Sequence, residues 1–177
     1  PIITALPAID EKAMMCEVII PAYQNGHALT ATLAALNQQS ITTGDTVSVI
    51  VCDDGSTDHT KEAVRQAARQ SPWTYRYVYG RHAGAAAARN RGLTQATGDI
   101  ILFLGADIIL RPGALNLHLK LHQAKTNPSD AGLGMVRWDP RLHPTPLMEW
   151  LIHGGQQNNF DALLGKKLAD PKHFTYG

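Results

Sequence analysis

Short apolar runs rich in β-branched residues alternate with segments of helical periodicity along most of the chain. Four runs have the length and composition of buried strands: 17–21, 46–52, 75–80 and 99–107. Between the first two, Leu29, Leu33 and Leu36 recur at helical spacing. Strands that alternate with helices form β-α units and parallel sheets. The pattern therefore predicts an α/β fold with a mostly parallel sheet.

The predicted helices and one further strand complete this outline. Helices are expected at 27–40, 56–70, 85–96, 111–123 and 145–154, and a strand at 132–140. Gly98 is expected to end the third helix, and Pro112 to lie near the start of the fourth. No internal repeat or low-complexity linker interrupts the pattern. We therefore expect a loose arm over residues 1–16 and one domain over residues 17–177.

The composition favours a cytoplasmic protein with a packed core. Of the 177 residues, 44% are hydrophobic, and no apolar run approaches the roughly 20 residues of a membrane span. No basic segment followed by an apolar one resembles a secretion leader. Cys16 and Cys52 lie in or beside apolar runs, which predicts reduced core residues rather than a disulfide.

The charges nearly balance overall but are unevenly distributed. The net charge of +1 gives no sign of a nucleic-acid partner. Residues 1–60 hold seven acids and one base, whereas residues 61–126 hold ten bases and three acids. A basic middle section suits an anionic ligand, although solvated helix faces would produce the same distribution.

Polar residues follow three of the predicted strands. The sequences PAYQN, DDGSTD and GAD come after the first, second and fourth strands. Ligands of open α/β sheets bind beyond the carboxyl ends of the strands, so these residues predict a site at that edge. Neighbouring side chains of an extended chain point in opposite directions, so one of Asp53 and Asp54 should face the site. A turn in which Thr57 or Asp58 caps the next helix would explain the same residues.

The segment GRHAGAAAARNRG, residues 80–92, is typical of an anion site at a helix start. Small residues permit close approach by a bulky anion, and the free N–H groups of the first turn attract negative charge. Arg81 and His82 precede this helix, and Arg89 and Arg91 lie within it. The glycines match neither a Walker loop nor a dinucleotide fingerprint. A packed alanine-rich helix with surface arginines is the alternative.

Candidate metal ligands are few. In IILFLGADIIL, residues 100–110, Asp107 follows an apolar run. A magnesium-type ion often takes only one or two protein oxygens, so one carboxylate suffices if the ligand carries phosphate; the alternative is a metal-free site. His118 and His122, four residues apart on a predicted helix, could share a zinc ion but have no evident third ligand. Trp138, at the end of the predicted strand, could stack on a sugar or fill the core.

Four motifs occur together and in one order: VIIPAYQN, VIVCDDGSTD, HAGAAAARNRG and IILFLGADIILRPG. Together they resemble an inverting family 2 glycosyltransferase with the GT-A fold, a Rossmann-like α/β/α sandwich. The resemblance is strong over about residues 17–125, and GMVRWDPRLHPTPLMEW resembles a bacterial subgroup. It implies a nucleotide-diphosphate sugar donor, usually a UDP-sugar, and a divalent metal, Mn²⁺ or Mg²⁺. The acceptor it implies is a glycan, a lipid-linked sugar or a protein.

The resemblance also implies which residues contact the nucleotide sugar. The matching positions are Pro21, Ala22, Tyr23, Asp53, Asp54, Gly84, Arg89 and Asp107. The first three would line the nucleoside pocket, and Asp54 would contact the base. Gly84 and Arg89 match the stretch beside the ribose and diphosphate. Asp107 matches the last acid of the DxD-like motif, which holds the metal.

Two departures from the family pattern matter. GAD stands where GDD is more usual, so Ala106 replaces an acid that often contacts the ribose. Without that acid, donor binding should be weaker by about 1–3 kcal/mol, and the metal should still bind. The family places its general base in a downstream ED-type motif, and none occurs before Gly177. The chain is therefore expected to be truncated, with the base downstream of Gly177 or elsewhere.

Two other functions remain open. A nucleotidyltransferase shares this type of fold and also needs a metal and acids near a nucleotide. A non-catalytic module that binds a nucleotide, a glycan or a partner is the second. A dehydrogenase is disfavoured because no GxGxxG follows the first strand. The resemblance further implies cell-envelope polysaccharide synthesis in a bacterium, at the inner face of the cell membrane with peripheral association.

Overall fold

A computed structural model describes residues 13–124 and 130–153 of the chain. The chain divides into two compact units, residues 1–132 and residues 133–177. The described part of the first unit contains a sheet and four α-helices, and that of the second contains two short helices. The expected domain over residues 17–177 stays a prediction.

The sheet of the first unit is parallel throughout its described strands. These strands are β1 (Met15–Ala22), β2 (Thr46–Asp53), β3 (Thr74–Tyr79) and β4 (Ile100–Phe103). Their order is β3-β2-β1-β4. The chain therefore builds outward from β1 to β3 and then crosses back to place β4 on the other side of β1. In such sheets the change of direction opens a crevice at the carboxyl ends of the strands.

Each strand is followed by a helix, which confirms the predicted α/β alternation. The helices are α1 (Gly26–Asn37), α2 (Thr60–Arg69), α3 (Ala85–Leu93) and α4 (Ala114–Gln123). The longest of them, α1, has 12 residues, and no described helix is long and apolar enough for a membrane span.

Strand alternation divides the core between the two faces of the sheet. One cluster joins β1 and β2 to α1, α2 and α4: its members include Val18, Ile20, Val49, Val51, Leu29, Leu33, Val64 and Leu115. On the other face, Ile19, Ile50 and Cys52 meet Ala88 of α3. A Cβ at Gly92 would lie 2.6 Å from Cγ2 of Ile19, so α3 packs against β1 more closely than any side chain at Gly92 would permit.

Both cysteines are free and buried, which confirms their prediction as core residues. Burial, together with the nearby Glu17 and Asp45 carboxylates, raises the pKa of the Cys16 thiol to about 12. Burial raises the pKa of Cys52 to about 11, against the opposing effect of Arg91. Both thiols are therefore protonated near neutral pH and unsuited to nucleophilic chemistry.

At the amino end of β1, Glu17 is fully buried and binds the segment after α3. One carboxylate oxygen accepts from the Arg76 guanidinium and from the Ser48 hydroxyl at 3.2 Å. The other accepts from the backbone amides of Thr97 and Gly98, the latter at 2.8 Å. A buried carboxylate is tolerated only with such partners, so this network ties three parts of the chain together.

Five predicted boundaries in the first unit are wrong by three or four residues. The first helix ends at Asn37 rather than 40, the second begins at Thr60 rather than 56, and the fourth begins at Ala114 rather than 111. The helix expected to run to Ala96 ends at Leu93, and Gly98 donates to Glu17 instead of ending a helix. The strand expected to reach Asp107 ends at Phe103. Residues 104–107 leave the sheet because only Leu104 continues the pairing, donating its amide to the carbonyl of Ile19.

In the second unit, the strand predicted at 132–140 is wrong. Residues 132–139 are irregular, and a 3-10 helix follows at Pro140–Leu142. The apolar side chains that suggested a strand, Leu133 and Met135, are exposed, and a strand without a paired neighbour gains no ladder hydrogen bonds. The last helix among the described residues, α5 (Pro146–His153), agrees with its prediction there. Trp138 donates from its indole nitrogen to the Met148 carbonyl at 2.7 Å.

Candidate functional site

A pocket of about 210 Å³ lies at the carboxyl edge of the sheet. The end of β1, the residue after β2, and the start of α3 with the turn before it contribute its walls. The lining residues are Pro21, Ala22, Tyr23, Asp54, His82, Gly84, Ala85 and Ala88. Five of the eight positions implied by the resemblance therefore border one pocket, whereas Asp53, Arg89 and Asp107 lie outside its lining.

Asp54 anchors the turn that precedes α3. Its side chain accepts hydrogen bonds from the backbone amides of Ala83, at 3.1 and 3.2 Å, and of Gly84, at 2.7 Å. Arg91 donates from Nη2 at 2.6 Å. Nδ1 of His82 lies 2.9 Å from the other carboxylate oxygen. The carboxylate, in a residue only 2% exposed, is thus surrounded by donors from both ends of α3.

The donors around Asp54 determine its ionisation. Burial by itself would raise the pKa of this carboxyl, but the hydrogen bonds from Arg91 and from the amides of Ala83 and Gly84 outweigh it. The pKa of Asp54 therefore lies below its ordinary value, and the side chain is a carboxylate at neutral pH.

Asp53 points to the opposite face of the sheet, as the alternation along β2 requires. Its carboxylate accepts from the Ser56 amide at 2.7 Å and from the Tyr77 hydroxyl, so it shapes the turn after β2. The assignment of Asp53 to nucleotide binding stays a prediction. Farther along the same turn, Asp58 accepts from the amides of Gly26 and Thr60, the first residues of α1 and α2.

Tyr23 and His82 form a stacked aromatic pair at the pocket. Their ring centroids are 4.1 Å apart and the ring planes differ by 25°. Tyr23 follows β1, and its neighbour Gln24 has a positive φ of 48° and bonds through its side chain to Thr57. These contacts hold the end of β1 against the turn after β2. His82 is the first residue of the HAGAAAARNRG motif, but it was not among the positions implied to contact the nucleotide sugar, and the structure adds it to the pocket lining.

Arg91 lies in the same motif and likewise was not among the positions implied to contact the nucleotide sugar. Its guanidinium packs against the backbone of Gly80, where a Cβ would lie 2.5 Å from Nε and Cζ. Its Nε is buried without a hydrogen-bond partner among the described residues. The signal available in sequence was weak, because Arg89 and Arg91 both lie on α3 and only the fold shows which one reaches Asp54. Arg89 is half-buried and makes no hydrogen bond or ion pair with the described residues.

Asp107 lies in the turn after β4, which is the strand that pairs with β1 in the sheet. Its side chain is exposed and has no hydrogen-bond or ion-pair partner within the described segments. A Cβ at Gly105 would lie 2.9 Å from Oδ1 of Asp107, so a glycine at this position leaves the carboxylate room. Ala106 is only 7% exposed and packs in the core, and its carbonyl accepts from Thr32 at 2.9 Å. The effect of Ala106 on ribose binding stays a prediction.

Clustered metal ligands are absent from the described part of the chain. There, no three His, Cys, Asp or Glu side chains converge as a metal site would require. His118 and His122 lie on α4. Burial lowers the pKa of His118, and the neighbouring His122 lowers it further. Any cation at Asp107 would therefore need most of its ligands from a bound molecule.

Comparison with known sequences identifies the family. The model of the family described as "Glycosyl transferase family 2" matches residues 17–167, most of the chain. The chain belongs to glycosyl transferase family 2. It is 30% identical over 153 residues to a validoxylamine A glucosyltransferase of Streptomyces hygroscopicus subsp. limoneus, covering 85% of this chain and 33% of that protein. The chain spans about a third of the length of the curated relatives it matches.

Solved structures confirm the GT-A fold for this family 2 chain. A mannosyltransferase from Pyrobaculum calidifontis, in complex with GDP-Man and Mn²⁺, matches with a TM-score of 0.60 and 28% identity over 76% of this chain and 39% of that chain. TarS of S. aureus, in complex with UDP-GlcNAc, matches with a TM-score of 0.51 and 27% identity over 62% of this chain and 32% of that chain.

Proposed function

We propose that this chain binds the sugar donor of an inverting, metal-dependent glycosyltransferase. The donor is a nucleotide-diphosphate sugar, a UDP-sugar, and the product is a glycoside of an acceptor hydroxyl. The observation that carries this proposal is the pocket at the carboxyl ends of β1 and β2, closed on one side by the start of α3. Relatives solved with GDP-Man or UDP-GlcNAc support a donor of this class.

The nucleotide is proposed to occupy the pocket with its base between the end of β1 and Asp54. Pro21, Ala22 and Tyr23 provide an apolar and aromatic surface for the nucleoside. Gly84, at the N-cap of α3, leaves the helix start open to the diphosphate, because no atom lies within 4 Å of its missing Cβ. Arg89 is proposed to supply a positive charge to the same group.

Asp107 is proposed to hold the divalent cation. Its exposed carboxylate, free of protein partners in the described segments, has the oxygen chemistry that Mn²⁺ and Mg²⁺ require. The remaining ligands would be diphosphate oxygens and water. A bound cation would neutralise the negative charge that builds on the departing diphosphate.

The chain's own residues contribute binding and electrostatics to the reaction. The acceptor oxygen attacks the anomeric carbon as the nucleotide diphosphate leaves from the opposite face, which inverts the configuration. The transition state is oxocarbenium-like. The amides at the start of α3 and the Arg89 guanidinium are proposed to stabilise the leaving group. A general base worth about 10²–10⁴-fold must remove the hydroxyl proton, and we place it downstream of Gly177 in a longer protein.

Calorimetry tests the donor site. The 177-residue chain is titrated with UDP in the presence of Mn²⁺, alongside Asp107→Ala and the control Glu62→Ala, whose carboxylate lies on α2 with 63% side-chain exposure. We expect binding by the wild type and the control, weaker binding by Asp107→Ala, and no sugar transfer by any of the three. Equal titration heats in all three proteins would show that Asp107 does not contribute to the donor site.

Thermal melting of the same 177-residue chain with added nucleotides tests the two other candidate functions, a nucleotidyltransferase and a non-catalytic binding module. A larger thermal shift with a nucleoside triphosphate than with a UDP-sugar would favour a nucleotidyltransferase. No shift with any nucleotide would favour a module that binds a glycan or a protein. The acceptor, and a place at the inner face of the cell membrane, stay predictions that depend on the rest of the protein.

A further inference from the structure

His118 and His122 are two histidines of α4 that the proposed donor site does not use. They lie four residues apart, a spacing that places both side chains on the same face of the helix. Two imidazoles at this spacing can bind one metal ion, as they do in helical zinc sites. Within the described segments they have no third protein ligand, so an ion held by them would keep positions open to water.

One ring nitrogen of each histidine faces the same short stretch of backbone. A Cβ at Gly132 would lie 3.6 Å from Nε2 of His122 and 3.7 Å from Nδ1 of His118. The same Cβ would lie 2.7 Å from Cδ2 of Leu121, so the chain can cross α4 this closely only with a glycine. The two nitrogens therefore converge on one place beside the helix.

Neither imidazole is already bound to another side chain. Both residues are half-buried, and neither makes a hydrogen bond or an ion pair with another residue of the ranges that the structure describes. The effect of His122 on the pKa of His118 shows that the rings are near enough for the charge of one to disfavour that of the other. A polar group that is partly withdrawn from water without a partner costs free energy, which a bound ion would offset.

We propose that Nδ1 of His118 and Nε2 of His122 form a binding site for a divalent ion of the zinc type. Imidazole nitrogens suit Zn²⁺, Cu²⁺ and Ni²⁺, whereas Mg²⁺ and Mn²⁺ prefer oxygen ligands. Zinc lies about 2.0–2.1 Å from an imidazole nitrogen, and rings without other partners can rotate to reach that distance. Water fills the remaining positions.

This site differs from Asp107 in its ligand chemistry, and it stands whether or not the chain binds a nucleotide sugar. It also has a consequence for stability. Leu115 and Leu119 of α4 are fully buried in the core. An ion that binds the two histidines only at their helical spacing stabilises α4 and, with it, this packing. Zinc should therefore raise the melting temperature of the chain.

Calorimetry with ZnCl₂ tests the site in the 177-residue chain and in three variants. His118→Gln and His122→Gln each remove one imidazole, and His27→Gln, at an exposed position of α1, is the matched control. Thermal melting without zinc reports whether each variant folds, and melting with zinc reports the stabilisation. Each titration is repeated in an excess of Mg²⁺.

We expect saturable zinc binding by the wild type and the control. Both α4 variants should bind zinc at least about tenfold more weakly, since even the loss of a partner of a metal ligand costs about 10–100-fold. The excess of Mg²⁺ should leave zinc binding unchanged. Zinc binding that is equal in all four proteins, or absent from the wild type, would overturn the proposal. Displacement of zinc by Mg²⁺ would assign the ion to an oxygen site and would overturn it too.

Histidine-ring NMR of the wild type decides the same question without a substitution. ZnCl₂ should shift the ring resonances of His118 and His122 over the same range of zinc concentration and leave those of His27 in place. A shift of only one of the two α4 rings, or equal shifts of all three, would contradict a shared ion.

Discussion

Two buried carboxylates, Glu17 and Asp54, hold opposite ends of α3 to the same sheet. Each accepts from one arginine and from two consecutive backbone amides. Glu17 also accepts from the Ser48 hydroxyl, whereas Nδ1 of His82 lies 2.9 Å from Oδ2 of Asp54. Glu17 binds the amides of residues 97–98, after α3, and Asp54 binds those of residues 83–84, before it. The chemistry of the two networks is therefore nearly the same.

The two networks differ in what lies beside them. Glu17 is at the amino end of β1, and its four donors belong to the protein scaffold. Asp54 follows the carboxyl end of β2, where the strand ends and the helix start leave a pocket, and a half-exposed histidine, His82, lies 2.9 Å from its carboxylate. The comparison teaches that an anchoring network becomes part of a site only at the edge where parallel strands open toward solvent.

Removing Glu17 should have the largest effect on stability. In Glu17→Ala, the Arg76 guanidinium and two amides lose their buried acceptor, so the free energy of unfolding should fall by about 3–5 kcal/mol. Urea unfolding measures the loss, with Glu62→Ala expected within about 0.5 kcal/mol of the wild type. A loss below about 1 kcal/mol would show that the amino-edge network does not anchor α3.

Substitution of Arg91 or of Arg76 should lower the free energy of unfolding to a similar extent, but only one of the two should lower UDP affinity. Arg91→Ala and Arg76→Ala each remove a hydrogen bond to a carboxylate, which costs about 1.5–3 kcal/mol of unfolding free energy. Only Arg91→Ala should also weaken UDP binding, because its loss releases the turn at residues 82–84. Urea unfolding and calorimetry with UDP and Mn²⁺ measure the two effects. Equal losses of UDP affinity in both variants would show that the amino edge of the sheet, at Glu17, contributes to binding as much as the carboxyl edge, at Asp54.

A smaller effect is expected at the N-cap of α3. Gly84 has a φ of 92° and a ψ of 163°, a conformation nearly restricted to glycine, so Gly84→Ala should cost about 1–3 kcal/mol of unfolding free energy. Gly113 caps α4 with a φ of 79°, and Gly113→Ala should cost about 1 kcal/mol by the same measurement. Only Gly84→Ala should lower UDP affinity. Unchanged UDP binding in Gly84→Ala would argue that the Gly84 amide does not support the site.

The smallest expected effect is on how the free energy of unfolding depends on pH in acid. The pKa of Asp54 is lowered in the folded chain, so its contribution is present above the unfolded value of about 4 and is lost as pH falls through the folded pKa. The unfolding free energy of Asp54→Asn should therefore decline less steeply below about pH 4 than that of the wild type. Urea unfolding from about pH 6 to about pH 3 measures both slopes. Parallel slopes would show that Asp54 is not held ionised by its donors.

The elements with strong local periodicity could be predicted from the sequence. The ends of β1 to β3 lie within two residues of the predicted bounds, because a buried parallel strand has a continuous apolar sequence. The end of α3 could not be predicted. The amides of Thr97 and Gly98 are held by Glu17, 80 and 81 positions away, and no local pattern reports a partner so distant.

The candidate site divides in the same way. Its edge, and the alternation that separates Asp53 from Asp54, follow from the motifs and the geometry of extended strands. The partners of Asp54 do not: Arg91 and Arg89 both lie on α3, and only the packing of Gly80 against the guanidinium shows which one reaches the carboxylate. The place of His82 at the pocket likewise involves a contact with Tyr23, 59 positions earlier.

The sequence by itself determined that strands and helices alternate, that the sheet is parallel, and that acids follow the ends of its strands. These properties depend on backbone periodicity and burial, which neighbouring residues encode. Only the tertiary structure decided the strand order β3-β2-β1-β4 and the hydrogen bonds that Asp54 accepts from Arg91 and from the amides of Ala83 and Gly84. Such a network joins groups that meet across the fold, so it appears only when the chain has brought them together.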